Sequence, residues 1–546
     1  MPQNHWRWNA KPGFRSPSAT SKRLFQIISR RGGVGATYST GLPWWMSDLA
    51  VAVVAILLTL ILRLPSFLPS VIDPDESLYI LQAREWLRGG WPYIAVWDMH
   101  PVGASALVAA AFSIFGESIA TVRLLGTIAV AATAFLLFRT VVAARGERVT
   151  GIAACALYIG HSLLPGGLAT NTEIMMAPLL TAGWLLTVIA ARNMLDKRQA
   201  PSLLTTFILA CCFGLALWVK QVVAPIACMA FLVLVSVGSV QRLMSFNTVF
   251  RHAAIFAFGC ALPMLATGLV YASRGTFEDF IEGNLLAPMR YAGNTDAFDL
   301  TSLRLIFASV LQVAWLMILS ALSFTLVMRR YLVSTSKRAV LLPNIAISWF
   351  VGAILSIVLP FKFFDHYFML WLPPLCLMAA FSLRAMTDMV GRRPRSLMLT
   401  AVAFIGFSPA LNDWSGRATN GFSIRLDDPT EVIAAAIKET LPSGEMAYIV
   451  NYEPVVYFLA NLPLPTRLPF WQHLVGEYSN ELGQDSDAEL KRILQQRPAV
   501  IVISELNWGK VRPEAQQLIM EVLAANYGAP TKFDVTVDSV ELWHRR

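Results

Sequence analysis

The residues of this chain best placed to do chemistry lie in Asp73-Pro74-Asp75-Glu76-Ser77-Leu78-Tyr79, immediately beyond the first long apolar run. A carboxylate at a water–lipid boundary can act as a general base, taking the proton from a hydroxyl as it attacks an electrophile. Asp75 and Glu76 are the candidates. The same residues also fit a helix start, with Asp73 as N-cap, Pro74 at the first helical position and acidic residues in the first turn. Catalysis is favoured by their position at the mouth of a span. An aromatic, amphipathic stretch with Trp86, Trp91, Tyr93 and Trp97 follows them.

The elements that must position these groups are membrane helices. The 546 residues are 55% hydrophobic and 14% charged, with a mean hydropathy of +0.54, well outside the range of ordinary soluble proteins. The net charge of +9 does not indicate nucleic acid, because the basic residues fall in alternate loops between apolar runs. All six cysteines (Cys155, Cys211, Cys212, Cys228, Cys260 and Cys376) lie within apolar runs, so neither a disulfide framework nor a cysteine zinc site is available beyond them.

Residues 1–43 read as a basic, disordered tail ahead of a signal-anchor helix. Gly32-Gly33-Val34-Gly35 lacks the Lys-Ser/Thr ending of a phosphate loop. Residues 44–411 form the membrane module. Spans are expected at Trp44–Leu64, Ile119–Ala143, Thr150–Leu164, Ile174–Ala191, Leu203–Val219 and Val222–Val237. Others are expected at Ala253–Tyr271, Leu303–Val327, Val340–Pro360, Tyr367–Leu383 and Leu397–Leu411, about eleven in all. The first outer loop, 65–118, is broken by Pro65 and Pro69 and is too polar to span, so short helices on the membrane surface are expected there.

Charge sets the expected orientation. One set of loops holds Arg145, Arg148, Arg192, Lys197, Arg198, Arg242, Arg251, Arg329, Arg330, Lys337, Arg338, Arg384, Arg392, Arg393 and Arg395. The opposite loops are acidic or mixed, with Asp73, Asp75, Glu76, Glu85, Asp98, Glu173, Glu278, Asp279 and Glu282. The positive-inside rule therefore places the tail in the cytoplasm and the C-terminal region, 412–546, in the periplasm of a bacterial inner membrane. That region alternates helix and strand: helices at Glu431–Leu441, Pro454–Ala460, Asp487–Gln496 and Pro513–Asn526, strands at Met446–Val450, Ala499–Ser504, Lys532–Val537 and Val540–Trp543. A small α/β domain without a nucleotide fingerprint is expected.

Several motifs, taken in order, resemble the GT-C glycosyltransferases. They are Asp75-Glu76-Ser77-Leu78-Tyr79, Ala83, Gly89-Gly90-Trp91-Pro92-Tyr93, Phe115-Gly116 with Arg123, Gly214-Leu215-Ala216-Leu217 before Lys220, and His366-Tyr367-Phe368 leading to Pro373-Pro374. Within that group the chain is similar to the protein O-mannosyltransferase and aminoarabinose transferase superfamily, and to the rhizobial lipopolysaccharide galacturonosyltransferase-like branch. The resemblance implies inverting transfer of a sugar from a polyprenyl phosphate to an acceptor such as lipid A, a core glycan or a protein. It implies that Asp75 is the base, with Glu76 beside it and Tyr79 in the same motif.

A polyprenyl phosphate leaves readily without an acid, so the remaining need is for cations to receive it. Arg123, Lys220, Lys362 and His366 are the candidates. Lys220 directly follows an apolar helix, where an unpaired charge is costly, although snorkelling would also explain it. Arg123 has an alternative role in neutralising a loop carboxylate, and Lys362 and His366 bracket Asp365 in what could be a local polar cap. Where the family carries a Lys-Pro-Pro-like stretch, this chain has Asp98-Met99-His100-Pro101-Val102, so His100 is a substitute phosphate contact or a structural hydrogen-bonder. Glu173 matches a second acidic position of the family, and helix capping by Asn171 or Thr172 is its alternative.

No cofactor and no obligatory metal are expected, since His100, His161 and His366 show no ligand spacing. The competing function is a transporter or flippase of polyprenyl-linked or small polar substrates. Internal repeats and mid-membrane charges would mark it, whereas the ionisable residues here cluster at span ends.

Overall fold

The computed structural model describes residues 44–546 except 165, 294–299, 334–340, 391–396, 399, 407, 410–427, 443, 480–484 and 536–537. The expected tail 1–43, the boundary at 411/412 and the basic residues Lys337, Arg338, Arg392, Arg393 and Arg395 lie outside the described residues. Asp48–Arg546 is one compact unit.

Apolar sequence and polar caps together set the helices. The first, α1 (Asp48–Arg63), leaves Leu49, Val53, Val54, Ile56, Leu57 and Ile61 exposed, a face suited to hydrocarbon rather than water. After the turn at Pro65 come α2 (Pro74–Leu87) and α3 (Gly103–Phe115). The next helices are α4 (Ile119–Ala143), α5 (Arg148–His161), α6 (Thr172–Lys197), α7 (Leu203–Val219), α8 (Ala224–Val240) and α9 (Phe246–Ser273). Ser118, Ser202 and Ser245 cap α4, α7 and α9, each accepting a backbone N–H from the first turn. Then follow α10 (Leu300–Gln312), α11 (Ala314–Val333), α12 (Leu341–Val358) and α13 (Leu372–Val390).

Among the described residues, seven helical segments are long and apolar enough to cross a membrane, and α10 with α11 makes an eighth if that pair is one span. This is fewer than the eleven read from hydropathy. Thr150–Leu164 condenses into α5, 14 residues long and almost wholly buried among other helices. Leu203–Val219 is a shorter apolar helix, and Leu303–Val327 is interrupted, its halves bent by 74°. Leu397–Leu411 is helical where described. An apolar run signals burial, and helix neighbours bury it as well as lipid does.

The two helices of 65–118 pack against distant parts of the chain. In α2, Leu78–Arg84 are buried, and a Cβ added to Gly103 of α3 would overlap the Trp218 carbonyl of α7. Some of their polar groups are bonded across these contacts. Arg84 Nη1, for example, donates to the Tyr457 carbonyl at 2.7 Å.

The C-terminal region places α14 (Pro429–Thr440), α15 (Ser486–Gln495) and α16 (Pro513–Asn526) around four strands. These are β1 (Ala447–Ile449), β2 (Val500–Ser504), β3 (Thr531–Val535) and β4 (Asp538–His544), in the order β1-β2-β4-β3. β1 pairs parallel to β2, with Ala447 opposite Val500, and β4 runs antiparallel to both its neighbours. Val500-Ile501-Val502-Ile503-Ser504 is buried throughout, the pattern of a strand covered on both faces. The sheet region is tied to the loop around α2. Trp97 N donates to the Arg467 carbonyl at 2.7 Å, and Ser70 N donates to Asp428 Oδ2 at 2.5 Å.

Candidate active site

The site begins with a helix start. Asp73 caps α2, accepting the Asp75 N–H at 3.1 Å, and Glu76 closes the capping box by accepting the N–H groups of Ile72 and Asp73. Glu76 is fully buried, ion-paired to Arg123, and also accepts the Thr170 N–H at 2.6 Å. Arg123 reaches the Pro69 and Ser70 carbonyls too. Glu76 and Arg123 therefore tie α2 to α4 and to the loop before α6. The neighbouring acids divide: Glu76 is fully engaged, whereas the half-buried Asp75 carboxylate enters no hydrogen bond or ion pair among the described residues.

Around Asp75 stand three cationic or potentially cationic groups, each held by its own carboxylate. Lys220, at the end of α7, donates to Glu173 Oε1 at 2.8 Å and lies 4.1 Å from the centre of the Tyr367 ring. Glu173 also accepts the Thr172 hydroxyl at 2.9 Å. His366 faces Asp73 at 3.3 Å, and Asp73 is further held by Asn171 Nδ2 at 2.9 Å. His100 Nδ1 lies 3.0 Å from Asp98, and its ring meets Tyr79 edge-on at 5.8 Å. The Tyr79 hydroxyl is buried with no hydrogen-bond partner among the described residues.

Electrostatics separates the acids. Burial raises the Asp75 pKa, and the neighbouring Asp73 charge adds to the rise. Burial would also raise Asp73, but the hydrogen bond and charge of His366, with Asn171, pull it down to about 2. For Asp98 and His100 burial opposes both charges and their mutual attraction overrides it, so Asp98 falls and His100 rises. Of Asp73, Asp75 and Asp98, Asp75 is thus the carboxylate best suited to accept a proton.

Of the residues singled out in the sequence, Asp75, Tyr79, His100, Glu173, Lys220 and His366 converge here, while Glu76 and Arg123 hold the scaffold. Lys362 lies over the Tyr291 ring at 4.4 Å, one layer further out, on a tyrosine whose hydroxyl feels the Asp75 charge. The sequence reading missed Asp98 as the partner of His100, Asp73 beyond its capping role, Tyr367, and Glu453 just after β1. Burial and the Asp73 charge push the Glu453 carboxyl up to about 7, and its Oε2 is buried without a hydrogen-bond partner among the described residues. Its position at the carboxyl end of a parallel strand was the available signal, since sites in α/β sheets gather there.

Asp73, Asp75 and His366 each bring one potential ligand atom within 4.8 Å of the others, a spacing that could seat a divalent cation. The His366–Asp73 ion pair already accounts for much of that proximity.

Residues 99–266 match the model of a family described as dolichyl-phosphate-mannose-protein mannosyltransferase. The matched stretch carries His100, Arg123, Glu173 and Lys220, and Asp75 precedes it. Two crystal structures of ArnT from Cupriavidus metallidurans are similar along nearly the whole chain. The one bound to undecaprenyl phosphate has a TM-score of 0.54 at 16% identity, covering 92% of this chain and 98% of that one. The apo structure has a TM-score of 0.54 at 14% identity, covering 96% and 98%. No curated protein sequence matches significantly. The chain is a polytopic α-helical membrane protein with a small C-terminal α/β region, built on the fold seen in those ArnT structures.

Proposed function

We propose that this protein is an inverting GT-C glycosyltransferase that moves a sugar from a polyprenyl-phosphate donor to a hydroxyl acceptor at the membrane surface. The observation that carries the proposal is the Asp75 carboxylate, unpaired among the described residues, in a ring containing Lys220, His366 and His100. The acceptor O–H proton passes to Asp75 as its oxygen bonds the anomeric carbon. On the opposite face the C–O bond to phosphate breaks, and the polyprenyl phosphate departs with the electron pair. Lys220, His366 and His100 are the groups available to receive that charge. ArnT with undecaprenyl phosphate on the same fold supports a lipid phosphate as donor, as does the mannosyltransferase family match.

The acidic loops and basic loops support placing the site on the periplasmic face of a bacterial inner membrane, where lipid A, core glycan or protein would be the acceptor. The first-loop motif is what likens the chain to the galacturonosyltransferase-like branch, which makes a uronic acid one candidate sugar. A transporter would carry its charges near mid-membrane, whereas Asp75, His100 and Lys220 all lie at helix ends or in loops. Mass analysis of envelope glycolipids and glycoproteins from cells with and without the protein tests the proposal. Loss of one sugar from a defined acceptor is expected, whereas an unchanged envelope with a substrate accumulating on one side of the membrane would favour transport.

A further inference from the structure

Four ion pairs brace the site: Arg123 with Glu76, Lys220 with Glu173, His100 with Asp98 and His366 with Asp73. They leave two carboxyl groups there without an ion pair among the described residues, Asp75 and Glu453. The transferase mechanism employs Asp75, but it gives Glu453 no role.

Glu453 lies in Asn451-Tyr452-Glu453-Pro454, where the chain leaves β1. Its backbone is fixed from both sides. The Asn451 side chain donates to the Ser504 carbonyl and accepts the Ser504 N–H, both at 2.8 Å, and Val456 N donates to the Glu453 carbonyl at 3.2 Å. Four residues on, Arg84 clamps the Tyr457 carbonyl, joining this loop to α2. The side chain is not fixed in this way: Oε2 is buried and accepts no hydrogen bond from the described residues. The Asp73 charge bears on Glu453, and a carboxylate oxygen of Asp73 lies within 4.8 Å of one of Asp75. A rigid loop presenting an unsatisfied acceptor beside a reaction centre is an arrangement that a bound ligand completes.

We propose that Glu453 is an acceptor-binding residue: its carboxyl accepts a hydrogen bond from a hydroxyl of a neutral sugar and so turns a second hydroxyl towards Asp75. The proposal rests on the transferase reading and names its acceptor class. An anionic acceptor, such as a phosphate monoester, would bring its charge against the carboxyl groups of Asp73, Asp75 and Glu453. A neutral sugar instead supplies donors to both unpaired carboxyl groups.

The test uses the full chain in lipid nanodiscs, with a photoreactive octyl glucoside and a photoreactive octyl phosphate as acceptor probes and undecaprenyl phosphate as donor-side probe. For the glucoside, the concentration giving half-maximal labelling should rise at least fivefold in Glu453→Ala and less in Glu453→Gln, whose amide oxygen still accepts. The octyl phosphate should label the site only at concentrations at least tenfold higher. Undecaprenyl phosphate affinity should stay within twofold of wild type in both variants, which also reports that they are folded. An unchanged glucoside midpoint in Glu453→Ala, equal labelling by both probes, or a tenfold loss of undecaprenyl phosphate affinity in the variants would overturn the assignment. If wild type fails to bind undecaprenyl phosphate, the transferase reading itself falls, and the acceptor assignment falls with it.

Discussion

Replacing Lys220 with Met removes the ion-pair partner of Glu173, which is buried and also accepts the Thr172 hydroxyl. Breaking a buried pair from one side costs about 3–5 kcal/mol, because the remaining charge loses its compensation. Lys220→Met should therefore lower the thermal midpoint sharply, and Lys220→Met with Glu173→Gln should recover most of the loss; equal midpoints for the two would contradict this. The pH profile reports the other groups. Burial and Asp73 raise Asp75, so its base form, and turnover, should be lost as pH falls through a value above the ordinary carboxylate range. Asp98 holds His100 protonated above its ordinary value against burial and the opposing Lys220 charge, with Asp75 assisting. The cation should therefore be lost as pH rises through that higher value. His100→Lys should move the alkaline limb of the profile upward, and an unmoved limb would remove His100 from phosphate binding. Asp75 and Glu76 look equivalent in sequence. Their division depends on Arg123 and Thr170, which lie 47 and 94 positions from Glu76, beyond the reach of a local motif.

At the scale of elements, local chemistry was the most legible. The Asp73-Pro74-Asp75-Glu76 helix start forms a capping box, and the expected strands appear at Ala447–Ile449, Val500–Ser504, Thr531–Val535 and Asp538–His544. What hydropathy could not give was which apolar helices meet lipid and which meet protein, as in α5 and the bent α10–α11 pair. The burial of α2 was hidden similarly, since Arg84 finds its carbonyl 373 residues away. The contact of α3 with α7 needs a bare backbone at Gly103, where a Cβ would overlap the Trp218 carbonyl. Gly103→Ala should cost about 1–3 kcal/mol, the usual range for overpacking, read as a lower thermal midpoint. It should also weaken undecaprenyl phosphate binding, because Lys220 follows Trp218 by two residues. An unchanged midpoint would show that the helices can move apart freely.

For the whole molecule, the C-terminal region and the membrane helices share one compact unit, and the loop after β1 brings Glu453 towards the helix start at Asp73. The proposed orientation predicts that Glu514→Cys, at an exposed position of α16, reacts with a membrane-impermeant maleimide in spheroplasts. Labelling only after permeabilisation would reverse the topology. The central claim is that Asp75 removes the acceptor proton while a lipid-linked sugar departs. Its most direct measurement is single-turnover sugar transfer by purified Asp75→Asn against wild type, at matched occupancy of the polyprenyl-phosphate sugar. The account predicts a fall of about 10²–10⁴-fold, the usual contribution of a general base, with donor affinity preserved. Transfer at the wild-type rate would contradict it.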